Sequence, residues 1–187
     1  MPSNIEQSGN TVTDGGMLAA RDVNVHAPIR PAPKLKTLAA KYRKEVEKNE
    51  QVAKKLDTLL MYDTTVDAEL NLNLEEKLKV GNRQDLLVDA PRLKEHFYKL
   101  VTRHQLYLSA QEIICFLLAE IDHRFKTYVY PSIRRGDTPE EIDQKIHEKV
   151  IDPVMNLIED DVLELDTSYL RGMVYFLTDH CYLYWKL

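Results

Sequence analysis

Asp179-His180-Cys181 sets an acid, a base and a thiol in succession, the residue types of a nucleophilic cysteine site. Thiolate chemistry needs a base within reach of the sulfur. Adjacent side chains point about a quarter-turn or more apart on a helix, and to opposite faces on a strand. His180 is therefore poorly placed to deprotonate Cys181, and a catalytic cysteine usually meets its histidine through the fold. The second candidate is Glu120-x-x-His123, whose i, i+3 spacing puts two metal ligands on one helix face. A carboxylate-bridged two-metal bundle needs a second such pair, and His26, His96, His104, His147 and His180 have no glutamate three residues before them. Zinc-type cysteine spacing is missing, as are the phosphate loops GxxxxGK[ST] and GxGxxG. The expectation is a chain with no catalytic residues, no metal and no cofactor. The alternative is a small helical thiol or metal enzyme using His180, Cys181 or Glu120/His123. Cys181→Ser separates the two, since only the enzyme should lose function with its fold intact.

The elements that would position these residues read as helices from Leu35 onward. Leu35, Leu38, Tyr42, Val46, Asn49, Val52, Leu56 and Leu59 recur at three- and four-residue intervals, which predicts one helix running to about Tyr62. Its apolar stripe is narrow and interrupted by Glu45, and Asn49 on the stripe is a candidate register residue. Asp63 to Asn73 reads as a polar connection. Leu74–Val80 reads as a short helix closed by Gly81 as C′ residue. Asp85 to Tyr107 reads as a helical stretch whose second segment starts at Pro91. Ser109-Ala110-Gln111-Glu112 has the form of a capping box, and the Ile113–Leu118 run after it predicts a central buried helix. Gly136 closes the following connection, and Thr138-Pro139-Glu140-Glu141 opens another helix with cap, proline and acids in order. Asp152-Pro153 breaks or restarts it. Ser168 to about Trp185 is the last segment, with Met173, Tyr175, Phe176, Leu177, Tyr182, Tyr184 and Trp185 as a large packing surface.

The first 34 residues differ from the rest. Residues 1–8 are polar and expected to be disordered. In residues 9–26, Thr11 and Val12 lead into Asp14-Gly15-Gly16, a turn signal, and Leu18, Val23 and Val25 continue as short strand pieces. Residues 27–34 carry three prolines and read as a semi-stiff linker. The fold class is thus mainly α: a helical bundle domain, residues 35–187, preceded by a short Gly-rich β-hairpin. A two- or three-piece ribbon is marginal alone in water, and exposed strand edges pair with their own kind. Residues Thr11, Val12, Gly15, Gly16, Leu18, Val23 and Val25 are therefore expected to drive homo-oligomerisation.

The totals bound the partners. The 187 residues are long enough for a real core, and the net charge of -5 argues against a general polyanion binder. Charge is unevenly placed: residues 34–58 hold eight basic against four acidic residues, and residues 137–166 hold eleven acidic against two basic. The basic helix leaves a nucleic-acid-binding module open as a minority reading, testable by a steep loss of binding with salt. No signal sequence or membrane-length apolar run is seen, so a cytoplasmic chain with two reduced, buried thiols is expected.

The terminal string Gly172-Met173-Val174-Tyr175-Phe176-Leu177-Thr178, followed by Cys181 and Trp185, resembles the closing motif of the C-terminal domains of ABC-three component systems. These are bacterial conflict systems related to Lamassu-type antiphage defence. Lys94 to Leu106 with Ser109–Ile113, and Tyr130-Pro131-Ser132-Ile133 with the capped helix after it, are similar too. The leading Gly9-Asn10-Thr11-Val12, Gly15-Gly16 and Arg21–Val25 resemble the glycine-rich β segment that often precedes such domains. The resemblance implies a structural C-terminal motif of Gly172, Tyr175, Phe176, Thr178, Cys181 and Trp185. It also implies partners: an ABC or SMC-like ATPase, a middle component and further copies of the chain, with nucleic acid engaged only indirectly. The motif would have Gly-Asn where Asp179-His180 stand. Only 34 residues precede the first long helix, too few for an effector domain, so the implied role is an antiviral adaptor without an effector of its own.

Overall fold

The computed structural model describes residues 33–52, 57–63, 72–158 and 162–186. The β-hairpin expected at residues 9–26 lies outside them. Among the described residues the regular structure is helical: α1 (Pro33–Glu47), α2 (Asp57–Asp63), α3 (Leu74–Val80), α4 (Asp89–His104), α5 (Leu108–Arg124), α6 (Tyr130–Arg135), α7 (Pro139–Ile146), α8 (Asp152–Met155) and α9 (Thr167–Asp179). The centre is α5, apolar nearly all round, with Ile113, Ile114, Leu117, Leu118 and Ile121 at most 1% exposed. Helix α9 packs most extensively on α4, and α1 packs on α5. The α4–α9 crossing is close because Gly172 has no side chain: a Cβ there would overlap the Leu93 carbonyl oxygen and stand 2.8 Å from Phe97 Cβ.

The long first helix predicted to Tyr62 ends instead at Glu47. Asn49 adopts φ 53°, and the Glu50 amide bonds the Glu45 carbonyl at 2.8 Å. That left-handed cap terminates the helix, since asparagine tolerates this conformation better than most residues. Asn49 is thus a helix stop and not a register residue, and Val46 and Val52 on the expected stripe are exposed. The α3 helix forms as expected, with Asn73 and Glu76 in a capping box. Gly81, however, has φ −79°, and the left-handed residue is Asn82, φ 57°. Gly81 serves close approach: a Cβ on it would overlap Trp185 Cβ and lie 3.0 Å from the Trp185 carbonyl oxygen.

The capping box expected at Ser109 is not formed. Helix α5 begins earlier, after Tyr107, with no side-chain cap of its own. The Ser109 amide in its first turn is met from α1: Glu45 accepts from Ser109 N at 3.1 Å and from Ser109 Oγ at 2.7 Å. A carboxylate at a helix N-terminus satisfies an orphan donor and the dipole together. Glu45, the residue that spoiled the heptad, is what ties α1 down.

Pro131 and Pro153 sit just after wide turns. Phe125–Val129 and His147–Ile151 each form one π turn, in which Tyr130 N–H bonds the Phe125 carbonyl and Asp152 N–H that of His147. A proline inside a helix lacks a donor and clashes with the carbonyl four residues back, and the wide turn relieves that crowding at Pro131 and Pro153. The helix therefore continues through Pro131 to Arg135, where the connection had been expected. Gly136 then ends it at φ 74°. The Lys149 carbonyl, four residues before Pro153, accepts from Arg124 Nη1 at 3.4 Å.

Candidate functional site

The chemistry-bearing residues have structural partners. Glu120 accepts from Arg124 Nε at 2.7 Å, which orients the guanidinium toward Lys149, while His123 is exposed. The structure does not bring Glu120 and His123 into a metal cluster, and no group of three metal-ligating side chains exists among the described residues. His180 Nδ1 lies 2.9 Å from the Phe176 carbonyl oxygen, with the ring tilted on Phe176 at 4.3 Å. Cys181 is buried at φ 64°, as the left-handed C′ residue that ends α9, with Tyr182 N–H on the Leu177 carbonyl at 2.8 Å. Cys115 is also buried, and desolvation, helped by the Glu112 charge, pushes its thiol up to about 11. Such a thiol is a poor nucleophile at neutral pH.

Asp179 is the cross-link of the terminal hub. Its Oδ1 accepts from Leu74 N–H at 3.0 Å, at the start of α3, and its Oδ2 pairs with Lys94 Nζ at 2.7 Å. The buried Lys77 donates to the carbonyls of Thr178, at 3.0 Å, and Asp179. A carboxylate thus sits at one helix's N-terminus and an ammonium at another's C-terminus, both with the sense of the dipoles. Trp185 Nε1 donates to Thr178 Oγ1 at 3.1 Å, and Thr178 donates onward to the Val174 carbonyl at 2.9 Å. Phe125 meets the indole edge-on at 5.5 Å, and Phe176 meets Phe97 at 5.2 Å. Tyr184 N–H donates to Tyr130 Oη at 3.1 Å, and burial pushes the Tyr130 hydroxyl up to about 12. Gly172, Tyr175, Phe176, Thr178, Cys181 and Trp185 are all buried.

Beside this hub lies a pocket of about 230 Å³. Its buried floor is Ile146, Ile151, Val174 and Trp185, and its exposed edge carries Asp143, His147 and Arg171. One wall is the π turn at His147–Ile151. Tyr175 also lines it. Its pKa is raised, chiefly by burial, against the Arg171 charge and hydrogen bond. Behind Trp185 sits Arg83, 1% exposed, with its guanidinium 4.9 Å from the indole centroid. Arg83 Nη2 donates to Asp143 at 2.8 and 2.9 Å and to Asp85 Oδ2 at 2.8 Å, and Nε donates to Asp85 Oδ1 at 3.1 Å. Burial works against that charge, but the two carboxylates outweigh it and raise the Arg83 pKa. Sequence reasoning missed Arg83, Lys77, Lys94 and Arg171. Nothing local in the sequence marks these cations, and only the fold reveals which carboxylate, carbonyl or hydroxyl each one meets.

Comparison with protein families matches residues 73–185 to C-terminal domain 9 of the ABC-three component systems. The match runs from the N-cap of α3 to the indole that closes the hub and covers more than half of the chain. The chain belongs to this family. The membership that the resemblance pointed to is thereby borne out. Neither the curated proteins nor the solved structures contain a match. A domain of a multi-component ABC-three component system has protein partners. In this chain α1 and α2 precede the matched region. No helix among the described residues is long and apolar enough to cross a membrane.

Proposed function

We propose that the chain is a non-catalytic, cytoplasmic adaptor of an ABC-three component antiphage complex, which couples an SMC- or ABC-type ATPase to an effector through the middle component. The observation that carries this reading is the family match over residues 73–185. It is supported by the structural engagement of the chemistry-bearing side chains: Glu120 with Arg124 on its own helix, His180 with the Phe176 carbonyl of α9, and Asp179 with α3 and α4. In this reading residues 9–26 hold copies of the chain together. The test is co-purification from cells expressing the chain with the ATPase and middle component encoded beside it. Recovery of a ternary complex, retained by Cys181→Ser, is expected. An isolated chain, or loss of defence in Cys181→Ser with assembly intact, would overturn the adaptor role. Removing residues 1–26 is expected to lower the mass in light scattering, and an unchanged mass would refute their part in self-association.

A further inference from the structure

We infer that the pocket between α7 and α9 is a binding site for an apolar carboxylate: one apolar group of about side-chain size carrying a single carboxylate. Three features of the pocket converge on this. Its floor of Ile146, Ile151, Val174 and Trp185 is apolar and buried, and its volume of about 230 Å³ suits one large side chain. Its charges are not balanced equally. Asp143 at the edge is held by two hydrogen bonds from Arg83, a buried charge against Trp185 that Asp85 shares. Arg171 on the other edge is exposed, and among the described residues its guanidinium is met by the neutral Tyr175 hydroxyl and by no carboxylate. The cation at the edge with no carboxylate partner among the described residues is therefore Arg171, whose planar geometry suits a carboxylate. The wall is also a π turn, whose widened backbone before Pro153 flanks the floor. A concave apolar pocket with few convergent polar groups is the usual form of a ligand site. The inference stands apart from the adaptor reading, since it needs only the folded chain.

The purified full-length chain provides its own probe, because Trp185 is its only tryptophan and lines the pocket. N-acetyl-phenylalanine should give a saturable change in Trp185 emission. Its amide, which removes only the charge, should bind about tenfold more weakly. Arg171→Gln should bring the acid down to the affinity of the amide, leave the amide unchanged and leave the melting temperature unchanged. Arg171→Lys should restore part of the difference. A peptide, acetyl-Gly-Ser-Gly-Phe with a free terminal carboxylate, distinguishes the source. Tighter binding than the single residue identifies a chain end as the occupant, and equal or weaker binding identifies a small free acid. No saturable response to the acid, equal affinity for acid and amide, or an acid preference that persists in Arg171→Gln would each overturn the inference. The acid-against-amide comparison needs no variant.

Discussion

The terminal hub and helix α1 are both tied to the body by side chains reaching across the chain, but they are sealed differently. In the hub, the bonds to Thr178 from Lys77 and from Trp185 are buried, while those from Leu74 and Lys94 to Asp179 are part-buried. At α1, the ties are Glu45 to Ser109 and Tyr42 to His104, the latter at 3.0 Å, and both are only part-buried. Breaking a polar contact where water cannot replace it costs the full desolvation of the partner left behind. Where water can enter, most of that loss is recovered. The hub lies inside the region matched to the family and α1 lies outside it. The comparison therefore predicts a core whose integrity depends on the hub, with α1 as an attachment that can be loosened while the rest stays folded.

The largest effect should come from closing the gap at Gly172. Gly172→Val places a side chain against the Leu93 carbonyl and Phe97, where the neighbours are backbone and a buried ring. A cost of about 3 kcal/mol or more is expected from overpacking at the α4–α9 crossing. The variant should be insoluble or melt far below the parent in circular dichroism. A near-parental melting temperature would show that the two helices can separate without harm, and the hub would lose its special status. Next comes Asp179→Ala, which leaves Lys94 and the Leu74 amide without their carboxylate. About 2–3 kcal/mol should be lost in chemical denaturation. The same change at an exposed acid such as Glu140 should cost well under about 0.5 kcal/mol.

Much of this was legible in the residues, and the failures have physical reasons. The central helix, the Thr138 start and the packing role of the terminal aromatics follow from local pattern. The α1 boundary did not, because periodicity ran on through Asn49 while the backbone turned left-handed there. Ser109-x-x-Glu112 looked like a cap, but Glu45, far away in sequence, took the amide first. Gly81 and Gly172 gave no local sign of their task, since close approach depends on what arrives from elsewhere. Asp152-Pro153 signalled a break. The structure answers it with a widened turn, which also shapes the pocket wall.

Smaller effects should appear at α1. Glu45→Ala removes a cap supplied in trans, at a cost of about 1 kcal/mol. Hydrogen exchange should quicken across Pro33–Glu47 and at the first turn of α5, while the α4 and α9 amides keep their protection. Uniform loss of protection would mean that α1 is integral to the core, and the contrast between the two regions would fail.

The smallest expected effect is a pH dependence confined to the same attachment. His104 has its pKa lowered, mainly by burial and secondly by the Arg103 charge, with Glu164 acting the other way. A histidine with a folded pKa below its unfolded value of about 6.5 binds fewer protons when folded. Its stabilising contribution is then fully present above the unfolded value and declines as pH falls toward the folded one. Between pH 7 and 5.5, α1 should lose exchange protection relative to α9, after correction for intrinsic rates. His104→Gln should flatten that difference, since its amide does not titrate. If the difference survives in that variant, the titration belongs to another group and His104 is not what holds α1 at neutral pH.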